Sequence, residues 1–132
     1  MRETIYFFEV IMPLVENVKH IYEPNSLACG QAVLSMLSGV DVAEIFKLVN
    51  TEKETTLKDM KNALTALGIS YKNERIEVKN KNELPRVAVL SLETPKCWHW
   101  SLYFDGVFYD PEYGVLDDFP VSNRRYFWEI MP

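Results

Sequence analysis

Asn25-Ser26-Leu27-Ala28-Cys29-Gly30-Gln31-Ala32-Val33-Leu34-Ser35-Met36-Leu37-Ser38-Gly39 places a cysteine at the start of an apolar segment, just past a break at Pro24. Cys29, Ala32, Val33, Met36, Leu37 and Val40 recur at intervals of three and four, the period of a helix with one buried face. Asn25 or Ser26 is placed to cap it, and Gly39 to end it. The cysteine therefore falls on the inward side of a helix start. That position suits a nucleophile, although a cysteine near a helix start is more often a small core residue.

Outward from this helix toward the C-terminus the helical period continues. Asp41 with Glu44 has the form of a capping box and opens a second helix to about Asn50, with Val42, Ile45, Phe46 and Val49 apolar. Thr56 caps a third helix over residues 57–67, stopped by Gly68, with Met60, Ala63, Leu64 and Leu67 as its inner stripe. Beyond Gly68 the period drops to two. Residues 69–72 and 75–78 read as strand, 79–85 as a polar connector, and 87–92 as a continuous apolar run fit for a central strand. Residues 98–104, the dipeptide Asp105-Gly106 and residues 107–109 form the clearest hairpin signal. Residues 126–130 predict a further strand. Toward the N-terminus, 13–24 is irregular and 4–12 is β-rich. Helices first and antiparallel strands second predict an α+β fold, and 132 residues are the length of one domain, 1–132.

The composition narrows the function classes. Hydrophobic residues make up 48% of the chain, enough for a core without staples. The net charge of −5, with no long basic run, disfavours nucleic acid or an acidic membrane surface as partner. Cys29 and Cys97 do not make a secreted disulfide framework. Residues 5–15 are apolar but interrupted by Glu9 and Pro13, so they read as strand rather than signal peptide. No run reaches the length of a transmembrane helix. The expectation is a cytoplasmic protein, with export by another route left open.

The hairpin carries a geometric consequence. A two-residue turn at Asp105-Gly106 pairs Phe104 with Val107, and counting back pairs Ser101 with Asp110. Side chains alternate along a strand, so His99 shares a face with Ser101 and becomes a diagonal neighbour of Asp110. Trp98, Trp100 and Leu102 point to the other face. A histidine oriented by a carboxylate and presented from the sheet toward the helix that starts with Cys29 is a Cys-His-Asp arrangement. Asp110 before Pro111 also reads as a turn residue, and both roles can hold. His20 reads as a solvated loop residue. Cys97, two residues before His99, shares its face if the strand is regular. Zinc bound by Cys29, Cys97, His99 and Asp110 is disfavoured, because Cys-x-His is not a familiar zinc spacing. The sequence therefore predicts no metal.

In these residues the chain resembles the papain-like fold, and within it the bacterial peptidase domains that process double-glycine leader peptides, with their stand-alone relatives. The resemblance runs from about Glu23 to Gly114. It rests on Ala28-Cys29-Gly30 opening a helix that ends in Ser38-Gly39, on Thr56-Leu57-Lys58-Asp59 with Ala63-Leu64 and Leu67-Gly68-Ile69, on Glu83-Leu84-Pro85 before an apolar strand, and on His99-Trp100 and Asp110-Pro111. It implies Cys29 as nucleophile, His99 as general base and acid, and Asp110 as orienting carboxylate. It also implies an oxyanion glutamine six residues before the cysteine, where this chain has Glu23. Loss of one such donor costs about 100- to 1,000-fold in rate. Either Glu23 is held protonated, or Asn25 turns inward and donates, or the register shifts, or the site is slow or inactive.

A thiol largely ionised at pH 7 needs about 3 kcal/mol of stabilisation over an ordinary one. A helix N-terminus gives about 0.3–1 kcal/mol, so a protonated His99 has to supply the larger share. The expected activity is that of a cysteine peptidase acting on a peptide or protein, with no metal or organic cofactor. The alternatives are a papain-like binding module that has lost catalysis and an acyl transferase using the same thioester. Leader-peptide specificity is not carried over, and oligomeric state is open.

Overall fold

Residues 28–37 are apolar on nearly every side, and this decides where their helix goes. In the computed structural model, which describes residues 17–131, they form α1 (Cys29–Ser38). Every residue from Gly30 to Leu37 is buried, so α1 is enclosed all round rather than along the single stripe expected. Its N-cap is Ala28, with no side-chain cap. Asn25 instead closes a local turn, accepting from the Leu27 amide at 2.8 Å, and donates to the Glu52 carbonyl at 3.1 Å. Gly39, at φ 75°, ends the helix as expected. α2 (Val42–Val49) has Asp41 at its N-cap without the side-chain bond of a capping box; Glu44 pairs with Lys47 at 3.2 Å instead. α3 (Leu57–Ala66) does carry the full box, Thr56 and Asp59 each bonding the other's backbone amide.

Among the described residues six strands form one antiparallel sheet: β1 (Ile76–Glu77), β2 (Val87–Glu93), β3 (Trp98–Phe104), β4 (Val107–Asp110), β5 (Gly114–Leu116) and β6 (Arg125–Glu129), in the order β1-β6-β2-β3-β4-β5. The fold is thus α+β. β2 is central, as its unbroken apolar run predicts. The two strands expected over 69–78 shrink to β1 and one isolated bridge, Tyr71 with Ile130. Residues 72–77 are all exposed, so no apolar face holds them to the sheet. The β-rich segment 4–12 lies outside the described residues. No helix among those residues is long and apolar enough to cross a membrane.

Asp105 (φ 51°) and Gly106 (φ 90°) both occupy the left-handed region that the two-residue hairpin turn requires. The register follows as counted: Phe104 opposite Val107 and Leu102 opposite Tyr109. Two cores result. Val33, Leu34, Ile45, Met60 and Leu64 from the helices meet Val87, Val89, Leu102 and Phe104 on one face of the sheet. Val78, Ala88, Leu90, Leu92, Phe108 and Phe127 fill the other face, with no α-helix among the described residues contributing to that cluster.

Candidate active site

The site forms where two neighbouring strands part. Continuing the β3–β4 register past Leu102 and Tyr109 would set Trp100 opposite Pro111. Proline has no N–H to give to the ladder, and the paired register stops at Leu102 and Tyr109. Trp100's amide donates instead to Cys29 Sγ at 3.4 Å. The Pro111 carbonyl accepts from the Glu23 amide at 2.9 Å. One proline thus opens the gap into which both the start of α1 and the segment before it are drawn.

This entry differs from the expected one. α1 packs on the face that carries Leu102 and Phe104, with Trp100 against it. His99 is registered with Leu92 and Ser101 with Leu90, so both belong to the opposite face of the sheet. Cys29 reaches His99 at the parted strands, not across the sheet face. Cys29 Sγ, a ring nitrogen of His99 and a carboxylate oxygen of Glu23 lie within 4.8 Å of one another. His99 Nε2 is 2.9 Å and 3.1 Å from the two Asp110 oxygens, which leaves Nδ1 for the sulfur. Asp110 is fully buried, and it also accepts from Ser101 Oγ at 2.8 Å and from the Glu112 and Tyr113 amides at 2.9 Å each. It therefore serves both readings of its sequence position, orienting the histidine and closing a turn.

The electrostatics follow from this packing. Burial alone would lower the His99 ring, but the hydrogen bond to Asp110, the bond to Cys29 and the charges of both raise it to about 10. His99 is then an imidazolium at neutral pH. Asp110 is pushed upward by burial, yet the His99 bond and charge and the donated hydrogen bonds hold it below the usual carboxylate range. Glu23 goes the other way. Burial raises its carboxyl, the His99 charge opposes, and Glu112 and Asp110 push it up further. Its Oε1 is buried with no hydrogen-bond partner among the described residues.

Several supports were not apparent from the sequence. His20, expected in solvent, donates from Nε2 to the Asp110 carbonyl at 2.7 Å. With the Glu23–Pro111 bond it straps residues 17–24 across the turn and fixes Glu23. Gln31 is fully buried and donates from one nitrogen to the Thr51 and Lys53 carbonyls at 3.0 Å and 2.7 Å. The loop it holds forms one wall of a cleft of about 220 Å³ lined by Cys29, Glu54, Thr55, Ser91, Trp98, His99 and Trp100. Asn25 is exposed and its amide is spent on Glu52, so it does not enter the site. Cys97 lies in the β2–β3 turn rather than on the strand, is exposed, and like Cys29 is a free thiol.

The described arrangement sets a thiol beside an oriented, protonated imidazole and presents a half-buried carboxyl to whatever forms beside the sulfur. Comparison of the chain with protein families and with curated proteins finds no match.

Proposed function

We propose that the protein is a cysteine peptidase-like hydrolase of papain-like type that cleaves a peptide or protein amide bond through Cys29. The observation that carries this reading is the placement of His99 between the Cys29 sulfur and the buried Asp110. The Cys29 thiolate attacks the carbonyl carbon, and the carbonyl oxygen becomes an oxyanion. The early amides of a helix have no acceptor within it, so the Cys29 backbone N–H is available to that oxygen. Burial favours the protonated form of Glu23, and it is in that form that Glu23 supplies the second donor. His99 passes its proton to the leaving amine, and a thioester remains. Water then attacks the thioester with His99 as base, releasing the acid product and restoring Cys29.

The experiment is alkylation by iodoacetamide in the presence of a chelator, with the adduct located by mass spectrometry at several pH values. The proposal expects preferential modification of Cys29 over Cys97 well below pH 8. Slow modification of Cys29 that tracks an ordinary thiol would overturn it in favour of a binding module. The carboxyl beside the sulfur is the one feature favouring that second reading, because an ionised Glu23 repels an oxyanion. Glu23→Gln decides the point: a gain of peptide-cleaving activity at neutral pH locates the constraint in Glu23, on the scale of the ~100- to 1,000-fold that one oxyanion donor contributes.

A further inference from the structure

The residue that fits a peptidase least, Glu23, fits another chemistry well. A carboxylate oxygen, a thiolate and an imidazole nitrogen converge within 4.8 Å. Each is a donor that binds zinc, and three protein ligands with a fourth position open is a common zinc arrangement. Zinc bonds of about 2.0–2.3 Å set neighbouring donors roughly 3.3–3.8 Å apart in a tetrahedron, and the three donors here already lie within 4.8 Å of one another. The surroundings complete the case. Metal-ligating histidines give their far nitrogen to a carboxylate or carbonyl, and His99 Nε2 is on Asp110. The Trp100 amide donates to the sulfur, which favours a thiolate. Glu23 Oε1 is buried and lacks a partner among the described residues, whereas buried oxygens are almost always satisfied. Thiolate, carboxylate and neutral imidazole balance a dication.

We propose that Glu23, Cys29 and His99 bind one Zn²⁺ ion, with the fourth position open to the cleft beside Trp98 and Trp100. Binding releases to solvent the proton held between Cys29 and His99 and any proton on Glu23, so affinity rises with pH. It also occupies the sulfur electron pair, so zinc reversibly silences the nucleophile. The ion site stands on its own geometry and does not require that Cys29 cleave peptides.

The test uses the full chain, stripped of metal and titrated with Zn²⁺ against a chromogenic chelator. The expected result is one ion per chain. Glu23→Gln should weaken binding by about tenfold or more, at least the loss that follows removal of an outer-shell partner, while Cys97→Ser leaves it unchanged. Co²⁺ should give a thiolate charge-transfer band that Cys29→Ser removes, and Zn²⁺ should shield Cys29 from iodoacetamide. Far-UV circular dichroism checks that all three near-isosteric variants are folded. Absence of a one-to-one site, equal affinity in Glu23→Gln, or loss of binding in Cys97→Ser overturns the proposal. Fast alkylation of Cys29 in chelator without zinc binding overturns the metal site alone. Zinc binding with slow alkylation in chelator overturns the peptidase reading alone.

Discussion

At the scale of single residues, two side chains carry most of the consequence. In the proposed mechanism His99 supplies the positive charge that the start of α1 cannot supply alone. Replacing it with alanine should abolish rapid alkylation of Cys29 at neutral pH, measured by adduct mass against time; unchanged reactivity would sink the ion pair. The same change strands Asp110 as a buried charge, at a cost of about 3–5 kcal/mol, so the rate has to be read where the variant is still folded. Gly30 acts through space rather than charge. A Cβ there would overlap Thr55 Oγ1 and stand 2.9 Å from Met60 Sδ and 3.1 Å from Trp100 Cδ1. Gly30→Ala should cost about 1–3 kcal/mol by overpacking and also slow Cys29 alkylation, because the helix start must back away from β3; a melt combined with the alkylation assay checks both. The pairing of His99 with Asp110 was legible in the sequence because a two-residue turn fixes register, and register fixes faces. The need for glycine beside Cys29 and the contact of His20 with Asp110 were not. Both depend on how closely segments distant in sequence approach, which no local period encodes.

At the scale of elements, α1 organises its neighbours through the loop over residues 51–55. The carbonyls of Thr51 and Lys53 accept from Gln31, that of Glu52 from Asn25, and that of Thr55 from the Trp100 indole at 3.1 Å. Four carbonyls of one loop are thus satisfied by side chains from the helix, the segment before it and β3. Gln31→Ala leaves two of them unpaired and should cost about 1–3 kcal/mol. Hydrogen exchange should quicken first at residues 51–55, with α3 unaffected; uniform change across the protein would show that the loop is not pinned this way. The elements themselves were readable to differing degrees. α3 carried its stop and start in the sequence, since Thr56 and Asp59 bond each other locally. The caps of α1 and α2 were misread, because Asn25 and Glu44 found partners elsewhere. The strands over 69–78 were overread, because alternation without burial earns little pairing. The parting of β3 and β4 at Pro111 was within reach: the counted register already set a proline opposite Trp100.

At the scale of the whole molecule, the site sets how stability depends on pH. His99 has its folded value raised from 6.5 to about 10. Its contribution is therefore full below pH 6.5 and is lost as pH rises toward 10. Asp110 is lowered from 3.8, so its contribution is full above that value and is lost as pH falls through the folded one. Glu23 is raised from 4.5. A raised carboxyl favours the folded state on the acid side and disfavours it once the group must ionise. His99 and Asp110 together leave a plateau between about pH 4 and 6.5 with a decline above it, and Glu23 tilts that window, its loss beginning near 4.5 and running up to its raised folded value. The net charge of −5 adds self-repulsion in the same direction, so wild type alone does not identify the cause. Glu23→Gln separates the two. It removes the unfavourable ionisation and one negative charge, and it leaves the decline that belongs to His99. In urea titrations from pH 4 to 9, wild type should be most stable at the acid end, and Glu23→Gln should gain stability as pH rises above about 4.5. The two curves should converge near pH 4, where Glu23 is protonated in both states. A gain of the same size at pH 4 and pH 8 would mean that the glutamine packs better rather than that a buried charge was removed, and the electrostatic account of Glu23 would fail with it.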